Sequence, residues 1–368
     1  MKLEELSLNQ FKNNRESKLK LSSRINIFVG DNGAGKTNIL DAIYYLSFCK
    51  SPFNMLDNQN ILHGENYFMI KGEYQNKITG IDSVQISFTQ GDRKKVKCND
   101  KEYDRLIDHI GEFPLVMISP GDVNLIYGGS EDRRKYIDGV ISQFDKHYLV
   151  TLVEYNKILQ QRNALLKSMH ENQSTDQSVL EILNQKLSKT GNEIYKKRTE
   201  FLQEFIPLVK HYYQFISNEK ESAGVNYKSK LKDEDFNQLL SQNFKRDLML
   251  KHTSIGIHRD DLEFELDGFL IKKYGSQGQQ KSFLIALKIA QFEFTFKQKK
   301  FKPLLLLDDI FDKLDFSRVQ QLMKLVSRNE FGQIFITDTN KDRIEEIFVD
   351  IEVEKKIFLI EAGIAKEI

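Results

Sequence analysis

The stretch 30-GDNGAGKT-37 constrains this chain more than any other. It matches the pattern G-x-x-x-x-G-K-[ST], follows the apolar run 25-INIFV-29 and opens a helical pattern over residues 36–50. A buried strand, a glycine-rich turn and a helix in that order make the phosphate-binding unit of an α/β domain. Gly30, Gly33 and Gly35, with Asp31, Asn32 and Ala34 between them, let the backbone wrap closely so that its N–H groups surround phosphate oxygens. Lys36 adds a point charge for the β- and γ-phosphates, and Thr37 a hydroxyl for Mg²⁺. With glycine at ordinary frequency, a chance match in a chain this long is on the order of one per cent.

Such a loop needs an acidic partner at the end of another buried strand, to hold Mg²⁺ through its water shell. The run 304-LLLL-307 followed by Asp308 and Asp309 supplies it. Asp308 is assigned to the metal with Thr37, and Asp309 to polarising the attacking water, so that Asp309 and Lys36 are the catalytic candidates. Two solvated carboxylates at a strand end are the competing reading.

Around these two strands the chain changes character twice. Before residue 120 it reads as alternating strands: "KLEELSLNQF", "SKLKLS", "YFMIKGEY", "SVQISFT" and "KKVKCND-KEY". From Ser130, a candidate N-cap, to about 250 it reads as helical, with apolar residues every three or four positions. The polar loop "ENQSTDQS" divides that region into a hairpin whose first arm, about 20 residues, would reach about 30 Å. Strand character returns with "DDLEFELDGFLIKKYGS", where Asp267-Gly268 suits a type I′ turn. The expected division is a split head at residues 1–119 plus 252–368, with a helical insertion at 120–251.

Composition adds little beyond exclusions. At 368 residues and a formal net charge of +1, bulk charge implies no polyanionic partner, so any such contact must come from local patches. Cys49 and Cys98 lack C-x-x-C spacing, 1-MKLEELSLNQ-10 has no apolar signal core, and 304-LLLL-307 is too short to span a bilayer. The expectation is a cytoplasmic protein with no membrane partner.

A second soft loop, 274-YGSQGQQKSFLIALK-288, runs straight into a helix about 30 residues before the acidic strand. The order resembles ABC-type ATPases, whose Ser-Gly-Gly-Gln-like signature turn binds the γ-phosphate of the opposite subunit. Ser276, Gln277, Gly278 and Gln279 occupy that turn here, and in "FDKLD" Leu314 and Asp315 resemble the D-loop.

Three further stretches narrow the resemblance. "SPGDVNLIYGGSEDRRKYID" (119–138), "GIHRDDLEF" (256–264) and "YGSQGQQK" (274–281), beside the two nucleotide motifs, resemble the bacterial RecF family of recombination-mediator ATPases over nearly the whole chain. That resemblance implies an α/β fold, an ABC-type (SMC/RecF-like) P-loop NTPase head with an antiparallel β subdomain and a mostly helical insertion. It implies ATP and Mg²⁺ as cofactors, and an ATP-dependent homodimer on gapped DNA or single-strand/double-strand junctions. It also implies RecR and possibly RecO as partners, in RecA loading, repair, replication restart and SOS induction. By the same analogy, Gly30 to Thr37, Ser276, Gly278 and Gln279 bind nucleotide, and Lys12 and Asn13 touch it.

Departures from the wider class are informative. Ile257 stands where the family has proline. "VMISPGDV" offers Pro120 where transporters carry a glutamine, and "FITDTN" offers Thr337, Asp338 and Thr339 in place of a switch histidine. Both differences argue against a transport ATPase and imply slow hydrolysis, and with the family resemblance the expectation is a weak, DNA-dependent ATPase. An SMC-like ATPase of another DNA-maintenance role is the closer alternative. A nuclease of the overcoming-lysogenisation class needs an acidic metal-binding domain that residues 341–368 are too few to hold.

His258, Arg259, Asp260 and Asp261 read either as a catalytic cluster or as an ion-paired hairpin entry; four adjacent polar residues cannot all face one ligand. Of Arg133 and Arg134, about 100° apart on a helix, at most one reaches a ligand. The basic runs 93-RKKVK-97, "KKR" at 196–198 and 297-KQKKFK-302 are DNA-contact candidates, each also readable as a solvated face.

Overall fold

The computed structural model describes all residues except 77–79, 173–177, 218–220, 311–318, 320, 322–330 and 350–352. Leu314 and Asp315 therefore lie outside the described residues. Two compact units are present. The first comprises Met1–Asp122, Tyr212–Lys220 and Gln277–Ile368, and the second Val123–His211 and Glu221–Ser276. Residues 252–276, assigned to the head from the sequence, belong to the second unit.

The first half of the chain carries strands β1 (Lys2–Phe11), β2 (Asn14–Lys20), β3 (Ile25–Val29), β4 (Tyr67–Asn76) and β5 (Gly80–Thr89). Strands β6 (Lys95–Cys98), β7 (Lys101–Glu102) and β8 (Leu115–Ile118) follow, then β9 (Ala223–Lys228), β10 (Asp261–Leu266) and β11 (Phe269–Leu270). The last are β12 (Leu304–Asp308), β13 (Ile334–Asp338), β14 (Lys355–Glu361) and β15 (Ile364–Glu367).

The first unit holds two six-stranded sheets, ordered β2-β1-β4-β5-β6-β7 and β15-β14-β3-β13-β12-β8. In the second sheet β14, β3, β13, β12 and β8 run parallel, and only β15 is antiparallel. Every residue of β3, β8, β12 and β13 is buried, as expected for parallel strands covered on both faces. The antiparallel sheet instead alternates: Phe68, Ile70 and Tyr74 of β4 face inward beside Val84 and Ile86 of β5. Helix α1 (Lys36–Phe48) packs Ile39, Leu40, Ile43 and Leu46 into the core these sheets share.

Helix α2 (Lys146–Glu171) has 26 residues and lies in the second unit; helix α3 (Ser178–Ser217) has 40, with Pro207 inside, and belongs to the second unit up to His211 and to the first from Tyr212. Both exceed the periodic apolar stretches, at about 39 and 60 Å for a straight helix. Their polar flanks contribute backbone hydrogen bonds without periodicity, and Asp145 caps the first arm by accepting the Tyr148 N–H at 2.9 Å. The helix expected to start after a Ser130 cap includes Ser130 itself, with Gly129 in the cap position.

The region to 250 is not wholly helical. Residues 223–228 form β9, paired antiparallel with β10, with Val225 opposite Phe264. Two buried residues, Ala223 and Val225, are too short a pattern to be read without the partner strand. The β10–β11 turn has both Asp267 and Gly268 at positive φ, 49° and 83°, the geometry of the expected type I′ turn.

Candidate functional site

The glycine-rich loop leaves β3 at Gly30 and enters α1 at Lys36. Gly35 adopts φ 114°, and a Cβ there would lie 2.5 Å from the Asn13 amide nitrogen. That wall is the β1–β2 turn. Asn13 Nδ2 donates to Ala34 O at 3.0 Å, and Asn38 Nδ2 donates to Asn13 Oδ1 at 2.7 Å. A second wall comes from the β14–β15 turn, where the Gly363 N–H donates to Ala34 O at 2.9 Å. Asn14 Nδ2 in turn donates to Gly363 O at 2.5 Å. Nothing in the local sequence near 363 marks it as part of the loop's support; only the pairing of β14 with β3 brings it there.

Lys36 is 7% exposed, and its ammonium donates to Gly30 O at 2.8 Å and Asp31 O at 2.9 Å. It therefore lies across the concave face of the loop, within reach of whatever the loop's N–H groups hold.

Strand register sets the acidic side of the site. β12 lies beside β13, which lies beside β3, so the carboxyl ends of all three open on one edge. Thr37 Oγ1 donates to Asp308 Oδ1 at 2.9 Å, and Thr337 Oγ1 donates to the same oxygen at 2.8 Å. Asp308 is 3% exposed, and burial pushes its carboxyl above the usual carboxylate range, opposed by the Thr337 and Thr37 hydroxyls and by Lys36. A buried carboxylate so placed stabilises incoming positive charge. Asp309 follows with φ 48°, strained for a non-glycine residue, and its N–H donates to Thr337 Oγ1 at 3.0 Å. Thr337 thus bridges Asp308 and Asp309, a role visible only from the register that sets Thr337 opposite Asp308.

Asp338, the last residue of β13, is fully buried and accepts from Arg343 Nη2 at 2.6 Å. Lys12 makes an ion pair with buried Asp41 of α1 and lies 5.3 Å from the Phe53 ring centroid. The oxygen donors Thr37 and Asp308 suit a hard cation that takes its remaining ligands from water and phosphate. Among the described residues no cluster of three or more His, Cys, Asp or Glu offers an all-protein metal cage.

Ser276 is exposed just before the helix Gln277–Lys299, and Gly278 and Gln279 lie in its first turn. Further along the same helix, Lys288 pairs with Asp122 at 2.6 Å and donates to Met117 O at 2.9 Å, which ties the helix to the end of β8.

The histidine–arginine–aspartate run is a structural hub of the second unit. His258 Nδ1 is 2.7 Å from the Tyr155 hydroxyl and Nε2 is 3.1 Å from Thr253 O; burial pushes its imidazole down to about 4. Asp260 accepts from Tyr227 at 2.5 Å and is paired with buried Arg198 at 3.5 Å. Arg133 forks onto Asp261 at 2.7 and 3.0 Å, and Arg134 donates to Asp260 O at 2.7 Å. Both arginines are thus occupied in holding the entry to β10.

In two of the three basic runs one residue is similarly committed. Arg198 is 1% exposed on Asp138, while Lys94 binds Asp57 at 2.9 Å.

A parallel sheet with a glycine loop and buried Lys36 at one strand end, and Asp308 at the end of a neighbour, in a chain that also carries an antiparallel sheet and a mostly helical portion, defines an ABC-type P-loop head of the SMC/RecF kind. A family model described as the RecF/RecN/SMC N terminal domain matches residues 2–363. The chain is 50% identical over 358 residues to the DNA replication and repair protein RecF of Flavobacterium johnsoniae, covering 97% of this chain and 99% of that protein. It is 44% identical over 367 residues to the RecF of Bacteroides thetaiotaomicron, covering 100% and 99%. A solved structure of the recombination mediator protein RecF-ATP in the RecFOR pathway superposes with a TM-score of 0.91 at 29% identity, covering 100% of this chain and 97% of that one. An Smc head domain from Pyrococcus furiosus shares the fold at a TM-score of 0.60 and 17% identity. The chain belongs to the RecF family.

Among the described residues, no helix is long and apolar enough to cross a membrane.

Proposed function

We propose that this chain is an ATP-switched DNA-binding protein of recombinational repair and replication restart, and a weak, DNA-dependent ATPase acting in the cytoplasm. The observation that carries the reading is the hydrogen bond from Thr37 to Asp308, which joins the glycine loop to the acidic strand. The solved relative named as RecF-ATP, in the RecFOR pathway, supports the choice of nucleotide and of process.

The N–H groups of residues 30–37 hold the phosphates, and Lys36 exchanges its two carbonyl contacts for phosphate oxygens. Thr37 and Asp308 would hold Mg²⁺, which would supply positive charge beside the phosphates. Asp309, set at a strained backbone position beside them, orients and polarises the attacking water. Ser276, Gly278 and Gln279 read the γ-phosphate bound by a second copy of the chain, so ATP joins two copies and slow hydrolysis parts them. The dimer binds gapped DNA or a single-strand/double-strand junction and, with RecR and RecO, promotes RecA loading and SOS induction.

The test is sedimentation with and without ATP on gapped and fully duplex DNA. The wild type should dimerise with ATP and prefer the gap, with affinity falling as salt rises. Lys36→Met should stay monomeric and bind more weakly. Equal dimer formation by the mutant would remove the nucleotide from the switch.

A further inference from the structure

A groove of about 990 Å³ lies in the first unit, away from the nucleotide site. Arg24 immediately precedes β3, Lys302 lies just before β12, and Phe331 and Gly332 lie just before β13. The glycine loop and Asp309 follow the opposite ends of β3 and β12. Because the strands are parallel and five residues long, groove and nucleotide site are separated by about 16 Å of sheet.

Two properties of the groove bear on its ligand. Its floor is carbon, from Phe113, Phe296, Phe301, Phe331 and Tyr103. Its charge is one-sided: Lys2, Arg24, Lys299, Lys300 and Lys302 line it against Asp82 and Glu112. Asp82 is already buried under the amides of Asn76 and Asn99, at 2.7 and 3.0 Å. Lys299 and Lys300 have no carboxylate partner among the described residues. Lysines in the last helical turn also complement the helix dipole. That effect does not account for Lys2 and Arg24, which reach the same groove from β1 and the start of β3.

We propose that this groove docks an acidic segment of another protein, one carrying an aromatic or aliphatic anchor. Charge complementarity selects an anionic partner, and the carbon floor selects one with an apolar side chain to bury. A single nucleic-acid strand fits less well, because bases need open aromatic faces to stack on. Here Lys299 lies over the Phe301 ring at 5.9 Å and Lys302 over the Phe296 ring at 6.0 Å. The position at the far end of the sheet leaves the nucleotide site accessible while the segment is bound.

The experiment is fluorescence anisotropy on the full chain with a labelled decapeptide of aspartates around one phenylalanine and one leucine. Its controls are the same peptide with asparagines for aspartates, and a labelled oligothymidylate. Saturable binding of the acidic peptide alone is expected. The double variant Lys299→Glu/Lys300→Glu, two surface changes, should weaken it about tenfold or more, Lys299→Arg/Lys300→Arg should retain it, and Phe301→Ala should weaken it at unchanged charge. ATP binding should be the same in all variants, which checks that they are folded. Equal binding of the neutral peptide, or unchanged binding by the charge-reversed variant, overturns the proposal. So does oligothymidylate that competes for the site and is lost in the same variant, since the groove would then be a nucleic-acid surface.

Discussion

Thr37, the first hydroxyl after the glycine loop, and Asp308, the last residue of β12, are 271 positions apart in sequence and 2.9 Å apart in the fold. Their sequence neighbours do not bring the two side chains together. Thr37 is aimed by the turn that starts α1, and Asp308 by the parallel pairing that aligns the ends of β12 and β13. The site is the meeting of two strand ends, and its weak points can be predicted from that.

The loop's outer wall is tight. Gly363 has φ 84°, and a Cβ there would lie 2.2 Å from Asn13 O. Gly64 has a similar φ, 91°, with open space around it. Gly363→Ala should therefore cost about 1–3 kcal/mol more than Gly64→Ala, because both incur backbone strain but only one also clashes. Thermal unfolding of the two variants measures the difference. Equal losses would mean that the β14–β15 turn gives way freely.

Asp308 and Asp309 should separate on mutation. Asp308→Asn should raise the Mg²⁺ concentration needed for nucleotide binding. Asp309→Asn should leave binding intact and slow turnover about a hundredfold, so that dimer accumulates on DNA. Single-turnover hydrolysis with a Mg²⁺ titration distinguishes them; unchanged turnover in Asp309→Asn would remove that residue from the chemistry.

The placement of Ser276 at the start of the helix Gln277–Lys299 allows a complementation test. Ser276→Arg should bind ATP as a monomer but fail to dimerise, and Lys36→Met should also be inactive. In a mixed dimer one site carries both defects and the other carries none. Random pairing makes half the dimers mixed, so about a quarter of wild-type ATPase activity should return. Mixed dimers detected by crosslinking without any rescue would mean that the loop acts on its own subunit's nucleotide.

His258 makes a pH prediction. Its folded-state value of about 4 lies below the unfolded value of 6.5, so the unfolded chain binds a proton that the folded chain excludes. Its contribution to stability is present above pH 6.5 and is lost as pH falls toward about 4. Asp260 and Asp308 are raised by burial, which favours the folded state as pH falls and partly masks the effect. The difference between wild type and His258→Gln isolates it: between pH 7 and 5 the wild type should lose more thermal stability than the variant. Parallel curves would place His258 in a hydrated environment.

The sequence by itself determined what local chemistry can determine. The order of strand, glycine loop and helix, the leucine run ending in two aspartates, and the Asp267-Gly268 turn are each written in adjacent residues, because backbone conformation and strand burial follow from side chains a few positions apart. From these came the α/β class, the glycine loop between strand and helix, and the acidic end of a buried strand. Tertiary structure alone decided the rest. Asn13 and Gly363 became the wall of the loop, Thr337 became the bridge between Asp308 and Asp309, and β9 emerged inside a region that reads as helical. Arg198, which reads as part of a basic surface run, became a buried ion-pair hub. Each of these depends on the register between segments far apart in the chain, and a register is fixed by packing both faces at once, which no stretch of sequence carries alone.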